Sequence, residues 1–160
     1  MNNLDNNILI GKNLIELQNW SVQNGQTKFR GIQLYEWIYK RGVIDPMEMT
    51  NISETFRIFL KKKCTFNTIK LKKTSTSNNN KTTKFLFKLY DNESIETVSM
   101  IDEKFHTVCV SSQVGCNVDC KFCATALMGF IRNLSCGEII EQLNYVRENV
   151  DQKITNVVFM

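Results

Sequence analysis

The sequence predicts an α/β chain, with a small helical part in front, a short antiparallel sheet after it, and one β-loop-α-β unit at the end. Three observations carry this reading. Apolar residues recur at helical spacing as far as Leu60, they alternate with polar ones between Thr68 and Asp102, and two apolar runs, 106–113 and 154–160, then flank a capped amphipathic stretch. The change of period places the boundaries: a helical domain over 1–66, an antiparallel β linker over 67–104, and the β-loop-α-β unit over 105–160.

In the front part Asn13 is a helix cap and Glu16, three residues on, can return the bond, while Leu14, Leu17 and Trp20 follow at helical spacing and Gly25 offers an exit. A second helix is expected from Arg30 to Arg41, with Leu34, Trp37 and Ile38 inward and Gly42 ending it. Asp45-Pro46 starts a short turn or helix, because proline suits the first helical position. Ser53 opens a further helix through Phe56, Phe59 and Leu60, which closes on Lys61-Lys62-Lys63, where the helix dipole favours cations. The spacing of Trp37 and Phe56 assigns them to the core rather than to a base-stacking platform.

Beyond Thr68, Ile69 and Leu71 alternate with lysines, Phe85, Phe87 and Leu89 mark a second strand, and Ile95 to Ile101 a third. Asn78-Asn79-Asn80 and Asp91-Asn92-Glu93 supply the turns. His106 to Gln113 reads as one buried strand. Ser135 and Glu138 form a capping box for a helix ending near Asn149, with Ile139, Leu143, Val146 and Val150 as its buried stripe and Cys136 a structural residue in its first turn. Ile154 to Met160 is the returning strand, which implies a parallel pair joined by a right-handed crossover.

A composition of 42% hydrophobic and 22% charged residues is that of a soluble globular protein that folds without disulfide staples. No apolar run reaches the roughly 18 residues a membrane span needs, and Met1-Asn2-Asn3-Leu4-Asp5 lacks the pattern of a signal peptide, so a cytoplasmic chain with no membrane partner is expected. Residues 1–90 carry 15 Lys+Arg against 6 Asp+Glu, whereas residues 91–160 carry 5 against 10. A basic front half suits phosphate backbones, although lysines that merely solvate helix faces would leave the same count.

The chemistry concentrates in Gly115-Cys116-Asn117-Val118-Asp119-Cys120-Lys121-Phe122-Cys123, where thiols recur at spacings of four and three. Structural zinc is held by four side chains, whereas three cysteines on a [4Fe-4S] cluster leave one iron open to an exogenous ligand. In a reducing compartment, cysteines at this spacing argue for metal or redox chemistry over cross-links. Cys109 or Cys136 could complete a zinc knot, and that is the other reading of the same residues.

The C-x3-C-x2-C loop with Phe122 before its last cysteine resembles that of the radical S-adenosylmethionine (SAM) enzymes. Three further stretches narrow the resemblance to the RlmN/Cfr family of RNA adenine methyltransferases. They are Phe29 to Gly42 with Met49-Thr50-Asn51-Ile52-Ser53, then Cys109-Val110-Ser111-Ser112-Gln113-Val114-Gly115-Cys116, and then Gly129-Phe130-Ile131-Arg132-Asn133-Leu134. The resemblance implies the first unit of a partial (βα)6 barrel. It also implies a [4Fe-4S] cluster on Cys116, Cys120 and Cys123, with SAM on its open iron cleaved to a 5′-deoxyadenosyl radical.

By the same resemblance Glu96, in Ser94-Ile95-Glu96-Thr97-Val98, matches the family's proton acceptor, and Cys109 its second functional cysteine, which resolves a covalent protein–RNA intermediate through a transient disulfide. Read without the family, Glu96 is a solvated strand residue and Cys109 a buried apolar thiol. Arg30, Lys40, Arg41, Lys61, Lys62 and Lys63 are candidate phosphate contacts on the helical domain. The implied activity is methylation of adenosine C2 in 23S rRNA and certain transfer RNAs, by a monomer that draws on an electron donor such as flavodoxin. The Cfr relatives act at C8 instead. The family's SAM-contacting Gly-Met-Gly-Glu-Pro segment and methyl-carrying cysteine have no match in these residues. A C-terminally truncated chain, inactive by itself or serving as a non-catalytic RNA- or metal-binding module, is therefore expected.

Overall fold

The computed structural model describes residues 7–118 and 120–160; the opening Met1 to Asp5 read above and Asp119 of the cysteine motif lie outside them. The chain forms two compact units, Met1–Asn67 and Thr68–Met160.

In the first unit helix α1 (Leu14–Gln23) begins at the expected box: Asn13 Oδ1 accepts the Glu16 N–H at 3.0 Å and Glu16 Oε2 accepts the Asn13 N–H at 2.6 Å. Helix α2 (Lys28–Tyr35) starts two residues before the expected Arg30 and runs into a π-helical segment, Glu36–Arg41, stopped by Gly42 at φ 73°. That segment is tied from the side: the Trp37 indole N–H donates to Asn51 Oδ1 at 2.6 Å, and the Tyr39 hydroxyl accepts from the Gly11 N–H and donates to the Lys12 carbonyl. Gly31 has no room for a side chain, because a Cβ would stand 2.5 Å from the Gln18 backbone of α1. After a 3₁₀ turn over Pro46–Glu48, capped by Asp45, helix α3 (Glu54–Lys63) completes the unit. Leu17, Trp20, Leu34, Ile38, Phe56 and Leu60 are buried, and the rings of Trp20, Phe56 and Phe59 lie 5.9–6.5 Å apart. Trp37 and Phe56 are core residues, as their spacing indicates.

The second unit is built on a five-stranded sheet in the order β1-β2-β3-β4-β7, with β1 (Lys70–Thr76), β2 (Thr82–Lys88), β3 (Ser94–Ile101), β4 (His106–Val110) and β7 (Asn156–Phe159). The first four are antiparallel, and β7 lies parallel to β4, joined to it through helix α4 (Cys136–Asn149). The strands of 70–101 thus share one sheet with β4 and β7. Ile69, Phe85, Phe87, Ile95, Val108 and Val110 form its core with Val146 of α4, against which Ile139, Leu143 and Val150 pack. The capping box of Ser135 and Glu138 is present. Cys136, expected to be a structural residue of the first helical turn, is exposed there.

The single strand expected over His106 to Gln113 is broken. β4 ends at Val110, and Gln113–Gly115 is a separate strand, β5, pairing with β6 (Phe130–Asn133) in a second, two-stranded sheet. The cause is distant in sequence. The buried Gln142 amide accepts the Ser111 N–H at 2.8 Å and donates to the Ser111 carbonyl at 3.0 Å, while the Ser112 N–H and hydroxyl both donate to the Met160 carbonyl. The chain's one histidine, His106, is fully buried; its Nδ1 donates to the Gln152 carbonyl at 2.7 Å, which can only accept, and its Nε2 shares a hydrogen bond of 2.8 Å with the Ser99 hydroxyl.

Candidate functional site

The three spaced cysteines lie in the loop between β5 and β6, and its neck is closed by two glycines. Gly115 and Gly129 have φ of 72° and 71°, and the Cys116 N–H donates to the Gly129 carbonyl at 3.1 Å. A Cβ on Gly115 would stand 1.8 Å from that carbonyl oxygen, so the neck admits no side chain there. Inside the loop the Cys123 N–H donates to the Cys120 carbonyl, and a 3₁₀ turn covers Ala126–Met128. Val118, Phe122, Leu127 and Met128 of the loop are largely exposed.

Cys116, Cys120 and Cys123 are each half-buried, and no disulfide is formed among the described residues. Among those residues no three His, Cys, Asp or Glu side chains are gathered closely enough to hold a metal ion. The fit of the loop to a cluster therefore rests on its donor set, three cysteine sulfurs on one short loop with a fixed neck, the soft donor type that iron–sulfur clusters take.

The other two expected residues fall on one face of the large sheet. In β3, Ile95, Thr97 and Ser99 are buried, and Thr97 donates to Gln142 of α4 at 2.8 Å. Glu96 and Val98 therefore point to the face away from α4. Cys109 stands opposite Val98 in the register of β4 and is half-buried, so Glu96 and Cys109 share that face as near-diagonal neighbours. The Glu96 carboxylate meets Lys84 Nζ of β2 at 2.9 Å, and the Ser111 hydroxyl donates to the Glu96 carbonyl at 2.6 Å. Glu96 is exposed and both partners of this pair are about half open to solvent, so the solvated strand residue and the proton acceptor remain two readings of the same position.

Two features escaped the sequence reading. The Arg132 guanidinium of β6 makes paired bonds to the buried Glu138 at 2.8 and 2.9 Å, and its Nε donates to Asp91 in the β2–β3 turn at 2.7 Å. Glu138 both caps α4 and receives Arg132. Burial would raise its carboxyl pKa, but the Arg132 and Ser135 hydrogen bonds outweigh that and hold it below the ordinary value. The Arg132 bond likewise lowers Asp91, and the bonds to Glu138 raise the guanidinium. Arg132 pairs with Val114 of β5, so this clamp grips the root of the cysteine loop. Gln142, which breaks the β4 strand, is the other. Its signal was available: it sits three residues after Ile139 and four before Val146, a polar side chain inside a buried stripe.

On the helical unit the expected phosphate contacts divide. Arg30 bonds to Gln33 and the Asn51 carbonyl, Lys40 pairs with Glu36, Arg41 covers the Trp37 ring at 4.1 Å, and Lys61 reaches Asp45. Lys62 and Lys63 are exposed at the end of α3.

Residues 7–66 match the family model of the ribosomal RNA large subunit methyltransferase N-terminal domain. A protein of Staphylococcus saprophyticus subsp. saprophyticus named "Probable dual-specificity RNA methyltransferase RlmN" is 43% identical over 148 residues, 91% of this chain and 40% of its own length. A protein of the same name from Dictyoglomus turgidum is 44% identical over 147 residues, 90% of this chain and 40% of its own. The crystal structure of a radical SAM methyltransferase from Sphaerobacter thermophilus superimposes with a TM-score of 0.85 at 31% identity, over 95% of this chain and 47% of that one. The chain thus spans about two-fifths of the length of these curated relatives.

Proposed function

The chain belongs to the RlmN family, and from that premise we propose that it is the part of a radical SAM RNA methyltransferase that carries the iron–sulfur ligands, the resolving thiol and the proton acceptor. The reaction is methylation of adenosine C2 in 23S ribosomal RNA and in certain transfer RNAs, in the cytoplasm, with SAM as methyl and radical source and a small electron carrier such as flavodoxin as reductant. The observation that supports it best is the common face of Glu96 and Cys109 on β3 and β4, turned away from α4.

Cys116, Cys120 and Cys123 would hold a [4Fe-4S] cluster, which when bound supplies the electron for reductive cleavage of SAM. Two of the chain's own side chains act on the RNA adduct, whose methyl-carrying cysteine has no match in these residues. Glu96, oriented by Lys84, accepts the proton lost from the adenine ring. The Cys109 thiolate attacks the sulfur of the RNA-linked cysteine; a disulfide forms between the two cysteines as the bond from that sulfur to the bridging methylene breaks, and the methylene, left with the electron pair, takes up a proton to leave as the methyl group of the adenine. Arg30, Lys40, Arg41, Lys61, Lys62 and Lys63 contribute phosphate contacts from the helical unit.

The test places residues 1–160 in the Staphylococcus saprophyticus relative in place of the matching segment. The product is read by mass spectrometry of nucleosides from a host lacking the activity. The expected product is 2-methyladenosine; 8-methyladenosine would move the assignment to the C8 chemistry. Cys120→Ala should abolish iron uptake. Cys109→Ala should leave iron content and SAM cleavage intact while stopping release, so that protein accumulates joined to RNA on a denaturing gel and collapses to one band with ribonuclease. Continued methylation by Cys109→Ala would remove the thiol from the mechanism.

A further inference from the structure

Between Thr55 and Tyr90 the chain has ten Lys and Arg and no Asp or Glu. In the second unit this run forms the free edge of the large sheet, where all seven residues of β1 are exposed. The register sorts the lysines. Lys70 stands directly opposite Lys88, Lys73 opposite Leu86 and Ser75 opposite Lys84. Lys84, Leu86 and Lys88 alternate onto the face of β2 that continues through Leu86 opposite Glu96 and Lys84 opposite Val98.

A bulge decides the outcome. The register shifts between Leu71 and Lys73, leaving Lys72 as the extra residue. Continued without a bulge from the Lys70 and Leu71 pairs, the strand would set Lys73 opposite Phe85 on the α4 side; with Lys72 bulged, Lys73 stands opposite Leu86 and joins Lys70, Lys84 and Lys88 on the other face. The four lysines therefore lie on the face that carries Glu96 and Cys109. Lys84 is neutralised by Glu96, while Lys70, Lys73 and Lys88 make no ion pair among the described residues. Like charges directly across a strand pair are destabilising, and Lys70 and Lys88 are so placed with no carboxylate on either strand to relieve them.

Edge lysines also guard a sheet against pairing with other strands. That role asks for charge on the edge but does not ask that the lysines be gathered on one face by a bulge, nor that they continue onto the inner strand β2. We propose that Lys70, Lys73 and Lys88 form a second phosphate-binding surface, distinct from the helical unit, along which the RNA backbone runs toward Glu96 and Cys109. The inference rests on the RNA-modifying reading above and adds the path of the substrate across the sheet.

The test is made on the intact 160-residue chain carrying Lys70→Glu, Lys73→Glu and Lys88→Glu together, with the fold checked by circular dichroism. Glutamates keep the edge charged, so a change in binding cannot come from lost protection against strand pairing. Binding of a labelled transfer RNA is followed by anisotropy through a KCl titration, beside Lys61→Glu with Lys62→Glu and Lys63→Glu. Loss of three contacts should weaken binding and reduce the slope of log K against log salt by about 2. If the parent chain binds RNA and the sheet variant keeps its slope, this surface is wrong and the helical docking stands. If the parent chain binds no RNA, the docking reading falls and this inference with it. Poly-glutamate bound as tightly as RNA at equal salt would reassign the face to protein and overturn the proposal.

Discussion

Among six cysteines, environment separates the candidates. Burial pushes the Cys64 thiol up to about 12, which leaves it protonated at neutral pH, although it is half-buried like Cys109 and the three loop thiols; Cys136 alone is exposed. Glycines separate in the same way. Gly25 and Gly115 share φ of 73° and 72°, yet a Cβ on Gly25 meets nothing within 4 Å, and one on Gly115 meets the Gly129 carbonyl at 1.8 Å. Gly25→Ala should therefore cost only the left-handed backbone term, about 1 kcal/mol. Gly115→Ala should cost about 3 kcal/mol or more and open the neck, since the obstacle is backbone that cannot step aside. Urea denaturation of both variants, with protease cleavage of the loop, measures this; equal losses would show that the close approach does not constrain the neck.

At the scale of elements, Arg132 joins β6, the start of α4 and the β2–β3 turn through two carboxylates whose pKa values it lowers. A depressed carboxylate contributes stability that is complete above its unfolded pKa of about 4 and is lost as pH falls through the folded value. Arg132→Met should cost about 3 kcal/mol at neutral pH, because Glu138 is left buried without its cation. The difference from the parent should shrink steadily below about pH 4. Glu141 acts in the opposite sense. Burial raises its pKa despite bonds from the Thr68 and Ile69 N–H groups and the Thr68 hydroxyl, so its contribution is present at low pH and lost as pH rises through the raised value. Urea midpoints across a pH series would expose an error if the Arg132→Met difference persisted unchanged into acid.

At the scale of the whole molecule, the two edges of the large sheet contrast. β1 is lined with lysine, whereas β7 exposes Val157, Val158 and Phe159, with Met160 after them, and no strand pairs with its outer side among the described residues. An unpaired, exposed apolar edge is a template for association. Val158→Lys should raise the concentration at which light scattering appears, by severalfold, while the same change at Leu71 on the lysine edge should do little. If both substitutions behaved alike, edge pairing through β7 would not be the route of association. Among the described residues no helix is long and apolar enough to cross a membrane.

Features that depend on neighbours along the chain follow from the amino-acid order alone. Asn13 with Glu16 and Ser135 with Glu138 are three residues apart, so their capping boxes were legible, as were the alternation of Phe85, Phe87 and Leu89 and the thiol spacing of the cysteine loop. Features set by partners remote in sequence emerge only once the chain is folded. The break after Val110 comes from Gln142, 31 residues beyond Ser111, and competes with a local pattern that favours a continuous strand. Glu138 is read from its neighbours as a cap and nothing more, because Asp91 and Arg132, the other members of its clamp, lie 41 residues apart. The side taken by Lys73 turns on one bulged residue, and strand alternation, having a period of two, transmits such a shift to every residue that follows.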